Sequence, residues 1–447
     1  MKKKTALIVT TVVIAVVAIL GVLYFTTDLF KTPDQLFYKY FGENLKLTEK
    51  MSYEELIFEL KKQAEEPMEV EGELTLKMTS DDEENAEISQ ILEKGKIKYN
   101  SKTIGKEQKS KQEITLNYNN KDIVTLNILQ NKEQYGIKIA ELYEKYISVE
   151  NNNLKAIFQK LGVDVTDIPN KIETVDYYEL LNVDNKTINH ITETYSNILK
   201  ENIPTENYSV EKEVTIKIDE TEVKTNAYKL SLTETQLKNI IVKSLESLKA
   251  DDVTLNLIVD KYNKIVESYG EMIEEEKITK EVLIKEIEKT LEDLKEETVT
   301  ETKMLELIVY SAKDNKTKIE ILGFEDEKVT AKMQIDMIEE SATKAKIISS
   351  ISSEDTLMEI EVSVDNTKTD CILKIESEGT SIEVNSKQEI KDSQNVVIET
   401  FDTTNSVKIN DMTQNDIGLL IQEIYTNAML ILPQKMQLLG IDMSAQI

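Results

Sequence analysis

The chain has no arginine and no tryptophan, and only one histidine, one cysteine and five prolines among its 447 residues. Each scarcity removes a class of chemistry. With no arginine to read guanine and a formal charge of -29, the chain is not a nucleic-acid binder, since such binding rests on neutralised phosphates. Histidine catalysis and histidine metal clusters all fall on His190, which reads as a surface residue beside the apolar stripe of a helix near 187–199. A lone cysteine rules out an internal disulfide framework. Cys371 shares a strand face with Leu373 and Ile375 and reads as a small buried hydrophobe. Twelve scattered glycines form no dinucleotide fingerprint, phosphate loop or nucleophile elbow. The missing tryptophan takes away the commonest sugar platform. Asp81-Asp82-Glu83-Glu84 and Glu274-Glu275-Glu276 read as solvated charge runs, and no calcium-loop spacing occurs. No catalytic, cofactor-binding or metal-ligating residue is assigned, and the chain reads as a non-enzyme. A carboxylate-based hydrolase is the alternative that composition leaves open.

What is present begins with an unbroken apolar run, Ala6 to Phe25, directly after Met1-Lys2-Lys3-Lys4. Twenty helical residues span about 30 Å, the hydrocarbon thickness of a bilayer. The run exceeds the usual secretory signal core, and Tyr24-Phe25-Thr26-Thr27 offers no small-x-small cleavage site. Lysines before it, against Asp28 and Asp34 after it, put residues 1–5 in the cytoplasm, a signal anchor at 6–27, and the rest outside the cell membrane. Setting aside the three N-terminal lysines leaves a charge of -32 for the external part. Heavy lysine, asparagine and isoleucine usage looks like codon bias in an AT-rich bacterial genome.

Thr32-Pro33-Asp34-Gln35 and Ser52-Tyr53-Glu54-Glu55 are helix starts. After Pro67, Met68, Val70, Gly72, Leu74, Leu76 and Met78 alternate with Glu69, Glu71, Glu73, Thr75 and Lys77, a strand with one dry face and one wet face. Further strands are expected near 95–101, 112–118, 122–129 and 134–139, with a hairpin turn at Asn119-Asn120. Helices follow at 154–161, closed by Gly162, and at 187–199. Two strands, near 210–218 and 222–232, lead to the capping box Thr233-Glu234-Thr235-Gln236 and a helical block over 234–297, broken near Asp251 and at Gly270. From 302 to about 411 the spacing gives seven or eight strands of a meander. A last helix from Gln414 to about Leu439, kinked or interrupted at Pro433, is expected to bury Leu420, Ile421 and Ile424 against Met333, Ile335 and Met358. Eighteen tyrosines against eight phenylalanines suit sheet edges with wet hydroxyls.

The expected fold class is therefore α+β: an N-terminal transmembrane helix, then two antiparallel meander sheets packed against helices. The units are 32–232, a helical connector at 233–300, and 301–447. Ala227-Tyr228-Lys229-Leu230-Ser231-Leu232, followed by the capped helix at Thr233 to Lys249, resembles a strand-to-helix step in periplasmic lipoprotein-carrier-like domains. That likeness implies an open half-barrel of antiparallel strands around a lipid-facing cavity. Tyr135-Gly136-Ile137-Lys138-Ile139 through Tyr143-Glu144-Lys145-Tyr146-Ile147 resembles uncharacterised membrane-anchored proteins of clostridial type. The functional expectation is a membrane-anchored extracytoplasmic binding module with a hydrophobic or lipid ligand between sheet and helices. The alternative is a spacer or protein-interaction ectodomain without a small-molecule ligand. Fractionation should recover the full-length chain with membranes; a soluble mature chain starting near Thr27 would contradict the anchor.

Overall fold

Alternation of apolar and polar residues is the dominant local signal, and among the described residues it builds sixteen strands. The computed structural model describes residues 32–438 apart from 47–52, 81–85, 153, 161, 163–164, 166–169, 172–176, 270–276, 312–314, 342 and 392–395. The apolar run Ala6–Phe25, the two acidic runs at 81–84 and 274–276, and the break at Gly270 lie outside these residues. Among the described residues no helix is long and apolar enough to cross a membrane.

The first half supplies β1 (Pro67–Ser80), β2 (Gly95–Ile104), β3 (Lys109–Tyr118), β4 (Lys121–Gln130), β5 (Gln134–Ile139), β6 (Tyr146–Glu150), β7 (Tyr208–Ile218) and β8 (Thr221–Thr233). The second half supplies β9 (Lys303–Tyr310), β10 (Lys316–Glu325), β11 (Lys328–Ser341), β12 (Lys344–Ser353), β13 (Thr356–Asp365), β14 (Lys368–Ser377), β15 (Thr380–Lys391) and β16 (Ser406–Lys408). The expectation of two sheets is corrected. All sixteen strands belong to one sheet, ordered β16-β6-β5-β4-β3-β2-β1-β15-β14-β13-β12-β11-β10-β9-β8-β7. Among the described residues only the β16–β6 pairing is parallel. The join is β1 against β15, in register from Glu69↔Lys391 to Ser80↔Thr380. Alternation and short gaps specify faces and hairpins, but not which distant strand fills an open edge, so the seam was not legible in the sequence.

Turn chemistry matches the hairpins. Asn119 and Asn120 both take positive φ, as do Asp326 and Glu327 between β10 and β11. Two-residue turns of this kind suit the right-handed twist of the strands they join.

Ten helices lie among the described residues: α1 (Pro33–Lys46), α2 (Tyr53–Glu65), α3 (Ala86–Lys94), α4 (Leu154–Lys160), α5 (Tyr177–Leu181), α6 (Asn185–Asn202), α7 (Glu234–Ala250), α8 (Asp252–Tyr269), α9 (Lys280–Glu296) and α10 (Gln414–Leu438). The Thr233 capping box closes in both directions with Gln236. The Thr32 amide donates to Gln35 Oε1 at 3.1 Å. Helix α1 lies across β7–β10 and buries Phe37 and Phe41 against Tyr228, Leu230, Val309 and Ile319. Each such aromatic contributes on the order of 1.5–3 kcal/mol by leaving water. Helix α7 adds Leu237 and Ile240 to the same core and turns Ile241, Leu245 and Leu248 toward α8 and α9.

The C-terminal helix departs from expectation twice. It packs not on β11–β13 but at the far edge, where Ile417, Leu420 and Ile424 meet Ile157 of α4 with Ile147, Val149 and Val407 of β6 and β16. Ile421 is exposed, and Met358 is left without this cover. Nor does Pro433 interrupt it: the helix continues to Leu438. The carbonyl that proline leaves without a donor is that of Met429, an exposed residue.

From Val396 the segment leading to β16 runs along the sheet on the face opposite α1. Val396, Ile398 and Phe401 lie there against Leu129 and Tyr146. The Tyr146 hydroxyl donates to Glu399 Oε1 at 2.9 Å, and Lys111 pairs with the same oxygen at 2.7 Å. Gly136 is required beneath this strap, because a Cβ there would sit 2.5 Å from Phe401 Cε1 and 3.2 Å from Tyr146 Cβ. Gly136→Val is expected to cost about 1–3 kcal/mol by overpacking. In urea unfolding, Phe401→Ala in the same chain should restore part of that loss; equal stability of wild type and Gly136→Val would contradict the strap.

Candidate functional site

Direct cross-strand partners share a face, so the register defines what each side of the sheet presents. On the helix side one row reads Met333, Ile351, Met358, Ile375, Ile382 and Met78 across β11, β12, β13, β14, β15 and β1. The next row inward reads Ile335, Ser349, Ile360, Leu373, Val384 and Leu76. The third reads Met337, Ile347, Val362, Cys371, Ser386 and Leu74, and continues through Ile97 and Leu116. No charged residue interrupts these three rows. The opposite face carries cross-strand ion pairs such as Lys77–Glu383, Lys96–Glu73, Lys102–Glu69 and Lys346–Glu361. Solvated pairs of this kind contribute roughly 0–1 kcal/mol each, so they mark the wet side more than they hold it.

Cover on the apolar side is uneven. At one end Leu307 and Val309 are buried under α1 and α7, and at the other Ile147 and Val407 lie under α4 and α10. Between them the first row stays open: Ile351 is 52% exposed, Met358 36%, Ile375 37% and Ile382 37%. A contiguous run of exposed apolar side chains is uncommon in a folded protein and marks a contact surface. Methionine in such a row adds an adaptable, unbranched contact. Cys371 is half-buried on this same surface.

A row of helices in mutual contact runs along this side. The Ala64 carbonyl of α2 abuts Gly105 in the β2–β3 turn, where a Cβ would come within 2.3 Å of its oxygen. Helix α2 touches α5, α5 touches α8, α8 touches α7, and α7 rests on β8 and β9. Lys261 of α8 donates to the carbonyls of Glu179 and Asn182 at 2.8 and 2.9 Å, which fixes the α5–α8 step. In the sheet, β2 and β9 stand eight strands apart, about 38 Å if flat. The helical row therefore connects two distant parts of one sheet, on the side that carries the apolar rows.

The residues singled out in the sequence fall elsewhere. His190 sits on α6 with Nε2 2.9 Å from Asp251 Oδ1. Asp251 is buried and also accepts from the Val253 and Thr254 amides and the Thr254 hydroxyl, so it caps α8. Burial raises this carboxyl, but hydrogen bonds from Thr254 and His190 outweigh it and hold it below the usual aspartate value. The histidine thus ties α6 to the α7–α8 junction, a partner that helical spacing alone did not reveal. Two shallow cavities, of about 400 and 370 Å³, open among the helices, one beside Asn263 and Lys264 and one beside His190 and Asp251. Among the described residues no three histidine, cysteine or acidic side chains gather to hold a metal ion. Tyrosines are expected at sheet edges with wet hydroxyls, but Tyr146 is wholly buried. Burial and its bond to Glu399 raise its phenol. Helix α3 was not anticipated, although Ile88, Ile91 and Leu92 carry its helical spacing.

The chain belongs to a family of unknown function (DUF6583), whose model matches residues 1–357. No curated protein matches it. The matched region ends within β13, so it includes the open row as far as Ile351.

Two stability tests follow from this geometry. Met358→Lys and Ile375→Lys should each change unfolding free energy by less than about 0.5 kcal/mol, while Leu307→Ala should cost about 2–5 kcal/mol. Similar losses for all three would mean that the open row is core. Asp251→Ala should cost about 1–2 kcal/mol through the lost cap. Because the folded carboxyl is depressed, its contribution is full above about pH 4 and fades as pH falls through the folded value. Denaturant titrations between neutral and acid pH should show that the Asp251→Ala penalty shrinks on acidification.

Proposed function

We propose that this chain is a non-enzymatic binding module of the bacterial cell envelope, holding a hydrophobic or lipid ligand between its sheet and its helices. The observation that carries the reading is the three-row apolar surface on β11–β15 and β1, free of charge and open at Ile351, Met358, Ile375 and Ile382. Ligand sites are apolar and concave with few polar groups, and here those groups are Ser349, Ser386 and Cys371. In this reading the helical row from α2 to α7, on the same side of the sheet, forms the second wall. The likeness to half-barrels of lipoprotein-carrier type supports the same reading, and the Ala6–Phe25 run gives the module its membrane tether.

A second reading, a docking ectodomain, draws on α10, where Ile421, Tyr425 and Met429 form an exposed stripe at i, i+4 and i+8. Native mass spectrometry of the purified chain should show bound lipid, lost in a Met358→Lys, Ile375→Lys double variant and kept in Ile421→Lys. Lipid retained by the double variant, or none in the wild type, would overturn the first reading. Cross-linking in cells that captured one protein partner through α10 would favour the second.

A further inference from the structure

The open row ends at a charged rim. Immediately beyond Ile351, Met358, Ile375 and Ile382 lie the turns β10–β11, β12–β13 and β14–β15, all at one end of the sheet. They carry Glu325, Asp326, Glu327, Glu354, Asp355 and Glu378, against the single lysine Lys328. None of these six carboxylates is ion-paired among the described residues, whereas the acids on the sheet's wet face are answered by lysines. The turns at the opposite end mix signs, with Lys316, Lys344 and Lys368 beside Asp365. A charge-free surface that opens onto one unpaired acidic rim has the charge pattern of an amphiphile's complement.

We propose that the ligand is a single-chain amphiphile with a cationic head, its head at the acidic turns and its tail running inward along β14. This rests on the hydrophobic-ligand reading above. The lengths agree. From Ile375 to Cys371 is four residues, about 13 Å of strand. A lipid tail spans half the bilayer hydrocarbon, about 15 Å. A head held at Glu354, Asp355 and Glu378 therefore lays the tail over Ile375, Leu373 and Cys371. An anionic head would meet six carboxylates and is excluded by the same field.

The native cysteine makes the test. The purified full-length chain is titrated calorimetrically with dodecyltrimethylammonium, with monododecanoyl glycerol and with dodecanoate, all below their micelle concentrations. Modification of Cys371 by a small thiol reagent is timed in each. The cationic amphiphile should bind about tenfold or more tighter than dodecanoate and should slow Cys371 modification. Glu354→Gln with Asp355→Asn, both in an exposed turn, should lose about tenfold of that preference while leaving the neutral amphiphile's affinity unchanged. Equal affinity for all three, preference for the anion, or cationic binding that leaves Cys371 equally reactive would overturn this assignment and leave the hydrophobic-ligand reading standing. Binding of none would overturn both.

Discussion

The pairing of β1 with β15 is the constraint on which the rest of the structure depends. Glu69 to Ser80 runs antiparallel to Thr380 to Lys391 with every residue in register. Without it the N-terminal meander β1–β6 and the C-terminal meander β9–β15 would each end in a long exposed edge, open to pairing with another chain. With it, each edge satisfies the other. The apolar face of one meander then continues into that of the other: Leu76 meets Val384 and Met78 meets Ile382. A slip of one residue would turn Leu74, Leu76 and Met78 to the wet side and put Glu73, Thr75 and Lys77 among the apolar rows. Hydrophobic patterning and hydrogen bonding therefore fix the same register.

That single sheet, about 70 Å across its sixteen strands, is too wide for the described helices to cover evenly. The chain reinforces its two ends and leaves the middle open. At the β7–β8 end, a bulge between Glu211 and Val214 folds the hairpin tip onto the outer face of β10 and β11. There Lys318 donates to the Lys217 carbonyl at 2.5 Å, and the Asp219 amide donates to Asp336 Oδ2 at 3.3 Å. Burial raises the Asp336 carboxyl despite Lys318 at 3.5 Å. At the β6 end the strap through Phe401 plays the equivalent part. Aromatic contacts mark both ends: Tyr40 stacks on Tyr228 at 4.4 Å, and Phe401 stands edge-on to Tyr146 at 6.0 Å. Both ends are therefore braced, and the methionine-bearing middle stays open.

Much of this was legible locally. Alternation located β1, the hairpins from β10 to β15 and the side to which Cys371 points, because period two is a property of each strand alone. The Thr233 capping box was equally readable, since its partners lie three residues apart. What escaped is long-range. The β1–β15 join spans about three hundred residues and left no motif. The placement of α10 at the β6 edge follows from β16 being carried there by the strap, which an amphipathic pattern cannot foretell. The open row was legible as apolar strands but not as a surface, because its exposure depends on where every helix lands. His190 was visible as the only imidazole, yet its partner Asp251 belongs to another helix pair.

One measurement bears most directly on the claim that the two halves of the chain share one sheet. Lys77 and Glu383 are facing partners across the β1–β15 seam, with Nζ 2.9 Å from Oε1, and both reach solvent. In a Cys371→Ser background, Lys77→Cys with Glu383→Cys places two thiols on adjacent strands at a separation that a disulfide can span. Mild oxidation of the folded chain followed by peptide mapping should show the 77–383 bond in the monomer, in higher yield than when the chain is unfolded before oxidation. A folded chain, with native circular dichroism, that forms no such bond would place β1 and β15 apart and contradict the single-sheet account.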